Sequence, residues 1–99
     1  MTVLAPFMPA YTQGITVSPG VTSASSAIGL GAKSLCLTNL GSVTCYVRAG
    51  QSGVAATAAD YPVLPNTQVT IQKFQDFSTV AYITASGTGS LHIMPGEGF

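Results

Sequence analysis

Charge is what this sequence has least of. Only Lys33, Arg48, Lys73, Asp60, Asp76 and Glu97 are formally charged, 6% of 99 residues, and they sum to zero; globular domains usually carry ~25%. Three basic residues cannot neutralise many phosphates, so nucleic acid is not expected as a partner. The three carboxylates are scattered, with no pair spaced for acid-base chemistry. Tryptophan is missing and His92 is the one imidazole. Cys36 and Cys45 therefore lack the further ligands and the spacing of a metal site. No apolar run reaches the ~20 residues of a membrane-spanning helix, because Pro6, Pro9, Gly14, Pro19 and Gly20 interrupt the uncharged stretch from Met1 to Ala32. A signal peptide is not expected either: no basic segment leads the stretch from Val3 to Ala10, and two prolines break it.

What remains is an apolar chain, 46% hydrophobic with a mean hydropathy of +0.45, whose polar residues are mostly Ser, Thr, Gln and Asn. That hydrophobic content, spread over the whole length, excludes a disordered chain. A soluble monomer normally keeps dense mixed charge and a net value away from zero, both of which oppose association. At this mass a folded chain exposes roughly 5,200 Å², of which one standard contact covers about 800 Å². The composition therefore suits a domain whose surface is completed by other proteins.

Period-two alternation and turn residues recur along the chain, whereas helical periodicity is scarce. Strands are expected near Gly14 to Val17, Ser34 to Thr38, Ser42 to Ala49, Gln68 to Phe74, Thr79 to Thr84 and Ser90 to Met94, with a shorter one around Ser23 to Ile28. The segment Leu35 to Val47 reads as a hairpin. A two-residue turn at Leu40-Gly41 would pair Cys36 with Cys45 and allow a disulfide, but it would split the apolar residues between two faces. A three-residue turn with Gly41 left-handed pairs Leu37 with Val43 and Leu35 with Cys45, gives one apolar face and leaves the thiols free. Ser86-Gly87-Thr88-Gly89 reads as the turn of a second hairpin, joining Ala81 and Ile83 to Leu91 and Ile93. The long connection from Gly50 to Thr67 carries Pro62 and Pro65, which favour an extended crossover between sheets. Two hairpins and a crossover predict an all-β fold, a single small β-sandwich or jelly-roll-like barrel with Greek-key connections.

The expected division is an extended apolar arm over residues 1–12 and a sandwich over 13–99. The arm, Thr2 to Tyr11, is proline-spaced and uncharged, so it should dock on its own domain or on a neighbour. The interface candidates are Val3, Leu4, Pro6, Phe7, Met8 and Tyr11 in the arm, Tyr61, Pro62 and Leu64 in the crossover, and Phe99. His92 alternates with Leu91 and Ile93 and should face away from their core, and Asp60 is expected to cap a turn. A Cys-His dyad would need a positioned base and oxyanion donors, of which there is no sign. Gly29-Leu30-Gly31 and Gly87-Thr88-Gly89 lack the Lys-Ser/Thr and helix of a phosphate loop. No catalytic residue, cofactor or metal is expected. A ligand-binding sandwich would use a row of exposed aromatics, with Tyr46, Phe74, Phe77 and Tyr82 as candidates.

Leu37-Thr38-Asn39-Leu40-Gly41-Ser42, Cys45-Tyr46-Val47-Arg48-Ala49-Gly50, Ala58 to Asn66, Ser86 to Ile93 and Pro95-Gly96-Glu97-Gly98-Phe99 together resemble the small virion structural proteins of tailed bacteriophages. The resemblance covers roughly residues 34 to 99, and it is one of pattern: an Asn-x-Gly turn, a proline-bounded crossover and a Gly-Glu-Gly end. It implies a capsid decoration or cement protein, made in the host cytoplasm and placed on the outer surface of the particle. Its expected partners are other copies of itself, as dimer or trimer, and the major capsid protein or another virion protein. A tail or head-fibre attachment component is the nearest variant, and a carbohydrate-binding module on the virion surface is the other alternative.

Overall fold

A computed structural model describes residues 8–28, 33–73 and 76–97. Among the described residues nine strands follow in chain order: β1 (Met8–Pro9), β2 (Ile15–Val17), β3 (Ala24–Ala27), β4 (Ser34–Asn39), β5 (Cys45–Gly50), β6 (Tyr61–Val63), β7 (Gln68–Gln72), β8 (Thr79–Thr84) and β9 (Leu91–Glu97). All pair antiparallel, in two sheets. One sheet has the order β1-β9-β4-β7, with β2 beside β1 along the same edge of β9; the other has the order β3-β8-β5-β6. The chain is thus a small β-sandwich.

Alternation decides which side chains enter the core. Leu35 and Leu37 of β4 stand between Ile71 and Val69 of β7 and Pro95 and Ile93 of β9, with Leu91 opposite Asn39. From the other sheet come Cys45 and Val47, paired with Thr84 and Tyr82, and Val63, paired with Cys45. Leu35, Leu37, Leu91, Ile93, Val63 and Val80 are fully buried. Branched side chains suit this arrangement because a pleated surface accepts them at little conformational cost.

The expected strands are present, but both expected hairpins are corrected. β4 and β5 belong to different sheets, as do β8 and β9, so each connection is an arch from one sheet to the other. Leu35 and Leu37 share an apolar core with Cys45 and Val47 by facing them across the sandwich. Gly41 does not take a positive φ, whereas Gly87 does, at 72°. Gly41 sits at a close approach instead: a Cβ there would lie 3.0 Å from the Ser90 nitrogen, so the facing backbone would have to give way. The β8 face is also corrected. Val80 and Tyr82 point into the core, while Ala81 points outward and is nevertheless fully buried. The connection 51–60 runs from Gly50, whose α-carbon lies close to Val54, to the hydrogen bond that Ala56 N donates to Ser23 Oγ at 2.8 Å.

The passage from Gly50 to Thr67 does change sheets, between β6 and β7. Pro62 sits on the outer edge strand β6, where a missing amide costs no ladder bond. Asp60 caps its turn, its carboxylate accepting from Thr57 N at 2.7 Å.

Glycine at 89 is a matter of close approach. A Cβ there would lie 2.8 Å from Cys45 Sγ and 3.3 Å from Val43 Cγ2, whereas one at Gly20 would meet nothing within 4 Å. Gly89→Ala is expected to cost about 1–3 kcal/mol by overpacking, and Gly20→Ala less than about 0.5 kcal/mol. Urea midpoints of the two variants check this; equal midpoints would mean that the arch does not press on Cys45.

Candidate interaction surfaces

The strand order gathers the connections at two ends with different chemistry. At one end lie 18–23, 40–44, 64–67 and 85–90; at the other lie Ile28, Lys33, Lys73 and residues 76–78, and the connection 51–60 starts there and runs back to Ser23.

The first end is laced by hydrogen bonds between its loops. Asn39, 1% exposed, holds the centre. Its Nδ2 donates to Val43 O and Val63 O, each at 2.8 Å, and its Oδ1 accepts from Gly41 N at 2.9 Å. Its backbone N donates to Thr67 O and its carbonyl accepts from Asn66 N. Leu40 N donates to Ser90 O, Gly89 N to Pro19 O and Thr84 N to Gly20 O, each at 2.8 Å. Within the last loop Thr84 Oγ1 donates to Gly87 O at 2.7 Å. No residue of the four loops is charged, yet Val21, Leu40 and Leu64 are 60%, 57% and 56% exposed.

The second end holds the charge. Lys33, Lys73, Asp76 and Glu97 lie in its connections or at the strand ends that enter them, whereas Arg48 and Asp60, level with each other by the register that pairs Val47 with Tyr61, lie away from it. Lys33 N donates to Glu97 Oε2 at 2.7 Å, and Lys73 N to Lys33 O at 2.8 Å. Burial pushes the Lys73 ammonium pKa down, opposed by the nearby carboxylates of Glu97 and Asp76. A cavity of about 430 Å³ opens beside Lys73, Ala49, Gln72 and Phe77. The chain enters β1 at this end, since Met8 pairs with Glu97.

Between the ends, the outer face of the β9-β4-β7 sheet is polar and carries no acidic, lysine or arginine side chain. The register places Thr16, His92, Thr38 and Gln68 in one row and Met94, Cys36 and Thr70 in the next. His92 therefore faces away from the core, as expected, with its Nδ1 3.0 Å from Thr16 Oγ1. Gln68 Nε2 donates to Thr38 Oγ1 at 2.9 Å.

The two cysteines are free and sit on opposite sides of the sandwich wall, Cys36 half-buried on this outer face and Cys45 in the core. Burial raises the Cys45 thiol pKa, which lowers its reactive thiolate fraction further. A thiol reagent at neutral pH is expected to modify one cysteine per folded chain, Cys36, and the second only in denaturant. Rapid modification of both without denaturant would contradict the burial of Cys45.

Of the interface candidates, Val3, Leu4, Pro6, Phe7 and Phe99 lie outside the described residues, and Met8 is in β1. Tyr11, at the tip of the excursion between β1 and β2, is 72% exposed. Tyr61 and Pro62 are exposed on the edge strand β6, apart from Tyr11. Leu64 joins the uncharged end, where sequence reasoning did not anticipate Val21 and Leu40. The aromatic row is not formed: Tyr82 faces the core, its hydroxyl 2.6 Å from Ser26 Oγ. Tyr46 and Phe77 are half-buried at separate places, and Phe74 lies outside the described residues.

Among the described residues no group of three or more His, Cys, Asp or Glu could hold a metal, and no helix is long and apolar enough to cross a membrane. Compared with known protein families, curated proteins and solved structures, the chain matches none.

Proposed function

We propose that this chain is a non-enzymatic virion structural protein that decorates and stabilises the outer surface of a tailed-phage capsid, and that its sandwich is a jelly roll with Greek-key connections. The observation that carries this reading is the strand order. The sequence-adjacent pairs β2 and β3, β4 and β5, β6 and β7, and β8 and β9 each divide between the two sheets. Two interleaved sheets of this kind, β2-β9-β4-β7 and β3-β8-β5-β6 with β1 extending the edge held by β2, are what a jelly roll requires, an architecture used by viral capsid and lectin domains. The scarcity of charge adds support, because a protein held in a shell relies on contact area rather than on charge for its solubility. The partners are other copies of the chain and a shell protein, and the contact is additive, at ~25 cal/mol per Å² of apolar surface buried in each of many identical sites.

The arm is the proposed anchor. Residues 1–7 precede β1, whose pairing begins at the charged end with Met8 opposite Glu97. Deleting residues 1–7 is expected to leave the sandwich folded, with an unchanged circular dichroism spectrum, and to abolish co-sedimentation with phage particles lacking the protein, which the full chain binds saturably. Equal binding by the truncated chain would remove the anchoring role of the arm, and failure of the full chain to bind would remove the decoration reading itself.

A further inference from the structure

We infer that the uncharged end of the sandwich is a self-association surface, on which a second copy of this chain seats the same end about a two-fold axis. The first argument is the distribution of charge. The four loops at that end contain no charged residue while the opposite end carries four of the six in the chain. Such segregation is not needed for folding, since loops are where charge is most easily tolerated. A two-fold contact brings a patch against its own copy, so a charge close to the axis faces the same charge, and like-charge juxtaposition costs several kcal/mol. A patch free of charge is the kind that can meet itself.

The second argument is size and position. The loops offer roughly 20 residues, the number on one side of a standard interface. The two strand orders place the loops across the end in the sequence 18–23, 85–90, 40–44, 64–67. Val21 and Leu64 therefore flank the patch and Leu40 lies near its middle. An in-plane two-fold axis either along that row or across it sets Leu40 near Leu40 of the second copy. The hydrogen bonds from Asn39, Leu40, Gly89 and Thr84 already hold the loops together, so little ordering entropy remains to be lost on contact. Association by this end would leave both charged ends, where the chain enters β1, at the outer extremes of the dimer.

Sedimentation equilibrium of the isolated full chain tests the inference, and it is separate from particle binding, so either can fail without the other. Between about 1 and 200 μM, where a micromolar Kd is visible, the mass is expected to rise from 10.0 kDa towards twice that. Leu40→Asp and Leu40→Lys are each expected to stay monomeric, with the urea midpoint that the wild type has in dilute protein. An equimolar mixture of the two should recover the dimer, because opposite charges then meet. Val21→Asp, on a different loop, should weaken association at least 10-fold and guards against a folding defect particular to position 40. A wild-type chain that is monomeric throughout the range, which would be the result if this end meets only another protein, overturns the proposal. So does a dimer indifferent to both aspartates, or a mixture that fails to associate.

Discussion

Replacing Asn39 by alanine is expected to lower the unfolding free energy by about 3–5 kcal/mol, a large part of the roughly 5–15 kcal/mol of a domain this size. Asn39 ends β4 in one sheet, and its side chain reaches Val63 at the end of β6 in the other, as well as Val43 and Gly41 in the arch between β4 and β5. Alanine removes three hydrogen bonds and leaves two carbonyl oxygens and one amide without those partners, the Val63 carbonyl in a buried place and the other two in partly buried ones. Each net bond is worth about 1 kcal/mol, and a buried group left unpaired costs about 1–3 kcal/mol. Asn39→Asp separates geometry from bonding. It keeps the acceptor for Gly41 N but turns an oxygen towards two carbonyls, so its carboxyl should titrate above the usual range in the folded state. A raised folded pKa means that the folded state binds more protons than the unfolded one, and stability falls as pH rises through that range. The aspartate variant should thus be less stable than the alanine variant at neutral pH and recover part of the difference on acidification. Urea titrations at two pH values decide this; a loss below about 1 kcal/mol for Asn39→Ala would show that the side chain is not the tie.

The same residue shows what sequence reasoning reaches. Asn39 was legible as a turn residue beside Gly41, and the strands on either side were legible from alternation. Whether two consecutive strands lie beside or across from each other was not. Leu35, Leu37, Cys45 and Val47 form one apolar set in a hairpin and equally in an arch, since both bury the same side chains, and only the partners β7 and β9 on either side of β4 decide between them. Tyr82 was misplaced for a related reason. β8 is buried on both faces, so Ala81 and Tyr82 are both buried and alternation cannot say which faces inward. The uncharged end was invisible for a third reason. Its loops are separated in sequence by stretches that do carry charge, and their common character emerges only when the strand order brings them together.

The second large effect is expected at Leu37, where alanine should cost about 3–5 kcal/mol, the upper part of the range for a buried leucine. How much such a deletion costs depends on whether the neighbours can close the gap. β4 is an inner strand, held on one side by β7 and on the other by β9, with Leu37 opposite Val69 and Ile93 and no exposed surface of its own. Neighbours fixed by ladder hydrogen bonds on both sides have little freedom to move in, so the cavity persists. Leu64→Ala, at a leucine 56% exposed, should cost less than about 0.5 kcal/mol in dilute protein, because few contacts within the chain are lost. The comparison also bears on the uncharged end. A contact made only by the folded chain stabilises it by mass action, so the urea midpoint of the wild type should climb with protein concentration. The Leu37→Ala midpoint should climb in parallel from a lower start. Leu64→Ala should begin level with the wild type and climb less, since what it removes belongs to the second copy rather than to the fold. Parallel lines for Leu64→Ala and the wild type would place Leu64 outside the contact.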